Sequence, residues 1–332
     1  MRSSWTVKHP FGGWFKLFIT GFILIAIPIA TLTIWVNWSM KPVSERVKEK
    51  VFVIKRGEGA LSFSRRLEDE GIIKNAFIFR IYLGLSGLDK KIQAGSFKLS
   101  GQNSAEEIAQ SLTKGRIDKW VTIIEGLRKE QTAEILVEDF DIDEKKFLSQ
   151  VREGELFPDT YLIPTNANEA KILAIFRKNF ETKVNAALLE TAKKRRLTKD
   201  QVLILASIVE REGRNESERP TIAGILIKRW REGMTLGADA TVQYALGYSS
   251  EEKTWWRKNL TADDLQVNSS YNTRKKVGLP PTAICSPGLS SIRAVVEPRE
   301  TPYYYYLHDK EGRAHYSETF KEHQQKISQF LL

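Results

Sequence analysis

The sequence is poor in the residues that most often announce a chemistry. Of its 332 residues one is a cysteine, Cys285, so neither an intrachain disulfide nor a cysteine metal cluster can form. Only four are histidine, and His308, His315 and His323 are too far apart to form a pair on one helix face, so no metal site is expected. G-x-G-x-x-G, P-loop and G-x-S-x-G patterns are all missing, which removes dinucleotide binding, P-loop phosphoryl transfer and the serine hydrolase elbow. Ser111-x-x-Lys114 and "SYN" at 270–272 imitate two motifs of penicillin-binding proteins. No K-T-G follows at a usable distance, so acyl transfer falls away. No internal repeat and no low-complexity segment is found.

What is present begins with one long uncharged run, "LFITGFILIAIPIATLTIWV", from Leu17 to Val36. About 20 such residues are what a helix needs to cross a bilayer. Trp14 and Trp38 flank the run at the depth where interfacial aromatics sit. The run is too long for a cleaved signal and no A-x-A site follows it. The expected layout is a short cytoplasmic tail (1–16), one transmembrane helix (17–38), a polar linker (39–50) containing "SERVKEK", and the rest outside the cytoplasm. Positive charge points weakly the other way, with Lys41, Arg46, Lys48 and Lys50 following the span against Arg2, Lys8 and Lys16 before it. Large domains cross largely regardless of that count. Lys and Arg total 51 against 41 acidic residues. The surplus suits an anionic partner or plain solubility. An anchor that exports the basic surface argues against nucleic acid.

Beyond the linker, "VFVIKRG" and "AGSFKLS" read as strands enclosing two helices, Ala60 to Glu70 and Asn75 to Leu85. This βααβ order over 51–118 resembles a LysM-like module. A Ser104–Glu107 capping box and the strand "KWVTIIEG" follow. Residues 119–332 read as a mixed α+β domain. A long helical stretch from Asn168 to about Arg196, a helix opened by Thr198 and Gln201, another around Ile222–Trp230, a hairpin in "YYYYLHDKEGRAHYS" and a terminal helix compose it.

The stretch "LILASIVEREG" (203–213) carries the chemical question. Leu203, Ala206, Ser207 and Glu210 share a helix face, which therefore ends in a carboxylate. Apolar neighbours and a helix C-terminus both disfavour an ionised carboxylate, which suits a proton donor. An i, i+4 pair with Arg214 on a solvated face is the alternative. Arg211 and Glu212 point elsewhere and read as surface residues.

Five ordered stretches, "GELFPDTYLIP", "LASIVEREG", "ADATVQYALG", "SSYNTRKKVGLPPTAICSPG" and "TPYYYYLHDKEGRAHYS", resemble the YceG-like family of endolytic murein transglycosylases. The resemblance implies a cofactor-free and metal-free lytic transglycosylase. It would cut the MurNAc-β-1,4-GlcNAc bond of nascent glycan strands, leave 1,6-anhydro-MurNAc ends and so terminate glycan elongation. It implies Glu210 as the acid and then the base. Tyr271, Asn272, Thr273, Pro280 and Pro281 would line the cleft, with Ser207, Asp239, Thr241 and Gln243 shaping it. Its implied partners are peptidoglycan strands and, beside them, peptidoglycan synthases and elongation or division machinery. The chain departs from the family pattern at Ala240, where proline is common, at Thr282 and Ala283, where Gly-Pro follows L-P-P, and in "KTWWRKN". Two rivals stay open. One is an inactive wall-binding scaffold; the other is a hydrolytic muramidase with Asp159 or Asp239 as second carboxylate. Reporter fusions placed after residue 50 test the layout: a reporter that works only outside the cytoplasm is expected to be active, and a cytoplasm-only signal refutes it.

Overall fold

The structure is a computed structural model that describes residues 11–44, 49–115 and 117–331. Most of the expected cytoplasmic tail (1–10) and the linker residues 45–48 lie outside the described residues. The chain forms two compact units, Met1–Trp120 and Val121–Leu332, and each is described by itself.

The first unit opens with α1 (Phe11–Met40). Within it the 23 residues Phe18–Met40 contain an 18-residue stretch of mean hydropathy 2.2, long and apolar enough to cross a membrane. The Thr31 and Thr33 hydroxyls bond back to the carbonyls of Ile27 and Ile29, so neither presents an unpaired polar group. Next come β1 (Lys50–Ile54), α2 (Ala60–Asp69), α3 (Ala76–Ser86) and β2 (Gly95–Leu99), which is the βααβ order expected from the sequence. The two strands pair antiparallel, with Phe52 opposite Phe97. Alternation sends Phe52, Ile54, Phe97 and Leu99 into one core with Phe63, Leu67, Phe79 and Leu83. Asn75 caps α3 by accepting the Ile78 N–H at 2.9 Å. Ser104 and Glu107 form the expected capping box at the start of α4 (Ala105–Lys114).

The unit boundary falls inside β3 (Asp118–Ile123). The second unit continues with α5 (Lys129–Asp139), α6 (Glu144–Ser149) and β4 (Asp159–Pro164), the sheet partner of β3. The long helix expected over 168–196 is in fact two, α7 (Glu169–Lys183) and α8 (Ala186–Lys194). Asn185 breaks the run, because its side chain accepts the Leu188 N–H at 3.0 Å and caps a fresh helix.

At the centre lies α9 (Lys199–Glu212), opened by the expected Thr198–Gln201 capping box and buried from Val202 to Val209. It packs against α10 (Arg219–Arg231) and α12 (Leu289–Val296). Between them in the chain comes α11 (Asp239–Leu246). The expected hairpin is β5 (Tyr305–His308) with β6 (Ala314–Ser317), and α13 (Phe320–Phe330) follows. The sheets are two-stranded and the cores mostly helical, a mixed α/β chain.

Gly224 on α10 faces the backbone of Arg299 so closely that a Cβ there would lie 2.2 Å from that carbonyl oxygen. The Arg299 N–H in turn bonds Pro220 O at 2.9 Å, so the two segments cannot separate cheaply. Gly224→Ala is expected to destabilise the second unit by about 1–3 kcal/mol, the usual cost of overpacking. A denaturation midpoint equal to that of the parent chain would refute the close approach.

Candidate active site

Helix geometry separates the two glutamates at the end of α9. Residues two apart diverge by roughly 200° around a helix axis, so Glu210 and Glu212 meet different surroundings. Glu210 turns inward and is pinned. Arg219 Nη2 donates to its Oε1 at 2.8 Å and the Gly288 N–H to its Oε2 at 2.9 Å. Its side chain is only 5% exposed. Glu125 approaches the same arginine, with Oε2 3.7 Å from Arg219 Nη1. Burial, and next the charge of Glu210, push the Glu125 carboxyl upward, while Arg219 opposes them. A Cβ at residue 288 would meet Glu125 Oε1 at 1.8 Å, so a larger residue there would displace the Glu125 side chain. The pair imagined with Arg214 does not form, because α9 ends at Glu212 and the last-turn carboxylate is taken by Arg219. Both oxygens of Glu210 are therefore engaged, and its side chain has little exposed surface.

Glu212 contradicts the expectation of a surface residue. It lies at the wall of a cavity of about 490 Å³ that also exposes Asp239, Arg229, Arg274 and Tyr306. Protein surrounds the carboxyl on most sides but leaves it open to this cavity. The Tyr306 hydroxyl, delivered by β5, donates to Glu212 Oε2 at 3.0 Å. Burial is the largest influence and pushes the Glu212 carboxyl up to about 7, with the charge of Asp239 adding to it. The hydrogen bonds from Tyr306 and the Ala240 N–H in the first turn of α11 act against burial without cancelling it. Burial and the neighbouring Glu212 together push the Tyr306 hydroxyl well above its ordinary value, so it stays a donor. A carboxyl that exchanges a proton near neutral pH, in an open cavity, is equipped for general acid–base work.

The other expected site residues divide into wall and scaffold. Asp239 faces the Glu212 cavity, ion-paired with Arg274. Ser207 is fully buried; its Oγ donates to Ile204 O at 2.8 Å and accepts the Ile284 N–H at 3.0 Å. Thr241 and Thr273 are also buried and share a 2.8 Å hydrogen bond that ties α11 to the segment after Asn272. Asn272, fully buried, holds its own loop through Leu265 O and Val267 O at 3.0 and 2.9 Å. Gln243 donates to Arg257 O. Tyr271 bonds Thr282 Oγ1 at 2.8 Å and stacks obliquely on Tyr244. Pro280 is buried, and Pro281 edges a small hollow beside Glu153 and Leu203. None of these eight side chains lines the cavity with Glu212, which the structure therefore does not bring together with them. Asp159 does not line it either and pairs with Lys183 at 3.0 Å.

Among the described residues no group of three or more His, Cys, Asp and Glu could hold a metal ion. The sequence signal for Glu212 lies in its spacing from Glu210. "E-R-E" places two carboxylates on divergent faces, and only one of them can enter the core that "LILASIV" demands.

A sequence profile described as the YceG-like family matches residues 52–329. The chain is 26% identical over 328 residues to a protein of Bacillus subtilis (strain 168) named endolytic murein transglycosylase, covering 88% of this chain and 88% of that one. It is 26% identical over 341 residues to a protein of the same name from Streptococcus pneumoniae serotype 2 (strain D39 / NCTC 7466), covering 88% of this chain but 60% of the longer relative. The fold resembles a crystal structure of a yceG-like protein from Listeria monocytogenes, with a TM-score of 0.59 and 26% identity, over 83% of this chain and 98% of that one.

The raised Glu212 carboxyl has a stability consequence. The folded state keeps its proton up to about 7, whereas an unfolded glutamate loses it near 4.3. Stability from this group is complete below about pH 4 and is lost as pH rises through 7. Glu212→Gln lacks that loss. Its stability relative to the parent is expected to rise by on the order of 1–3 kcal/mol between pH 4.5 and 7.5. Glu153, pushed to about 7 chiefly by burial, titrates in both proteins and cancels in the difference. Denaturation profiles that stay parallel across this window would refute the assignment.

Proposed function

The chain belongs to the YceG-like family, and on that premise we propose that it is an endolytic peptidoglycan lytic transglycosylase acting on glycan strands at the membrane surface. The observation that carries the reading is Glu212, a carboxyl titrating near neutrality at the wall of a cavity large enough for a sugar residue. Of the two glutamates in "VERE", the geometry favours Glu212 as the acid–base group and Glu210 as the ion-paired support that fixes the end of α9.

The reaction needs one such carboxyl. Protonated Glu212 gives its proton to the bridging oxygen of the MurNAc-β-1,4-GlcNAc bond, and the C1–O4 bond breaks. The carboxylate then takes the proton of the muramic 6-hydroxyl, whose oxygen closes on C1 as a 1,6-anhydro ring. The proton count returns to its start and no water is consumed. Tyr306 steadies the carboxylate between the two transfers by donating to Oε2. A water-using muramidase needs a second carboxylate, and Asp239 is the candidate that shares the cavity, held by Arg274. The α1 helix supports a single-pass anchor with the remainder facing the wall, where cutting would terminate strands beside the synthases that extend them. The βααβ unit is read as a LysM-like element that keeps the enzyme near glycan.

Products and variants test this together. Muramic ends one water lighter than reducing ends are expected by mass spectrometry, whereas ordinary reducing ends would make the enzyme a hydrolase. Glu212→Gln should lower turnover by about 10²-fold or more with the fold intact. Glu210→Gln leaves the Arg219 guanidinium buried with one partner and should cost about 3 kcal/mol of stability. Glu210→Gln should retain measurable turnover below its lowered melting point. If Glu212→Gln stays fully active, the assignment of the acid is wrong.

A further inference from the structure

The Glu212 cavity carries more positive charge than its own carboxylates answer. Three guanidiniums line it, from Arg214, Arg229 and Arg274, against the carboxyls of Glu212 and Asp239. Arg274 and Asp239 neutralise each other. With Glu212 protonated, two cations are left over; with Glu212 ionised, one.

Arg229 is an unusual residue to leave in that state. Its Nε donates to Thr235 O at 2.9 Å and its Nη1 to Tyr304 O at 3.3 Å, both backbone carbonyls that fix the guanidinium without neutralising it. The Tyr305 ring backs it, 5.4 Å from the guanidinium carbon. Burial lowers its proton affinity, the mark of a cation whose solvent has been removed. Among the described residues no carboxylate lies within ion-pair distance of Arg229 or Arg214, although most arginines nearby have one. A guanidinium held in a cavity with its charge unanswered costs stability that a bound anion would return. Its planar fork matches a carboxylate.

We propose that Arg229 and Arg214 form an anion subsite in the Glu212 cavity that takes a carboxylate carried on the 3-O-lactyl arm of a muramic acid residue. The inference rests on the glycan reading above and deepens it by naming what sets the cutting register. The alternating sugars of such a strand differ in that arm: muramic acid bears it and N-acetylglucosamine does not. A cation beside the acid therefore places muramic acid, with the 6-hydroxyl that must close the anhydro ring, on the correct side of Glu212. Shifted by one sugar, the strand would leave Arg229 unanswered and present the wrong bond. The carboxylate has two sources, the lactyl acid itself on a peptide-free unit or the carboxylates of an attached peptide stem.

Binding to the full chain carrying Glu212→Gln separates these cases, using end-labelled peptide-free strands, stem-bearing strands and a chitin oligosaccharide without any carboxylate. Arg214→Gln, at an exposed position, and Arg229→Lys, which keeps the charge but not the fork, are each added to that background. Dissociation constants for carboxylated strands should rise about tenfold or more for Arg214→Gln and rise for Arg229→Lys, with chitin binding unmoved. A loss confined to peptide-free strands assigns the lactyl acid, and one confined to stem-bearing strands assigns the stem. Unchanged affinity for every strand in both variants overturns the subsite, as does an equal loss for chitin. The glycan reading fails by a different sign: the parent chain cleaving none of these strands.

Discussion

The buried helix α9 is the constraint from which the rest of the second unit follows. Eight consecutive residues, Val202 to Val209, have no exposed face, so neighbours must close around them on every side. Such a helix has no freedom to roll, and its last turn is fixed further by the ion pair of Glu210 with Arg219 and by the Gly288 N–H. Breaking a buried pair of this kind costs several kcal/mol because the surviving charge stays desolvated. The direction of Glu212, one residue beyond Arg211, is thereby set by packing in the core rather than by contacts in the cavity.

The cavity wall is assembled from segments remote in sequence around that fixed direction. Asp239 begins α11, Arg229 ends α10, and Tyr306 lies on β5. Behind them the Thr241–Thr273 and Asn272 hydrogen bonds hold α11 and its neighbouring loop in place. This division explains why residues strongly marked in the sequence, such as Asn272, Thr273 and Pro280, are buried. The residues of "YNT" and "LPP" set the backbone on which the wall stands.

Local signals were legible wherever one segment decides its own structure. The capping residues Asn75, Ser104 and Thr198 marked helix starts correctly, and the tyrosine-rich hairpin was evident from alternation and its turn. The break at Asn185 was equally local, an N-cap signal hidden within an apolar pattern that runs through it. The site was less legible, since two glutamates on one helix end look alike until their partners are known. Arg219 is nine residues from Glu210, whereas Tyr306 is 94 from Glu212. Periodicity reports which way a side chain leaves the helix, but not what it meets. Burial that comes from distant segments pushes the Glu212 carboxyl up to about 7.

The contact between Tyr306 and Glu212 also bears on when that carboxyl acquires its surroundings. When a nascent chain reaches residue 296, the buried residues of the core shared by α9, α10 and α12 have all been made, while Tyr306 and Tyr316, which pack against them, have not. At that stage the hydroxyl donor of residue 306 has not been synthesised and the cavity lacks one wall. The glutamate is then open to bulk water, which removes the desolvation that raises its proton affinity. The surroundings of this carboxyl are thus completed last, by the hairpin with Tyr305–His308 and by α13 with Phe320 and His323.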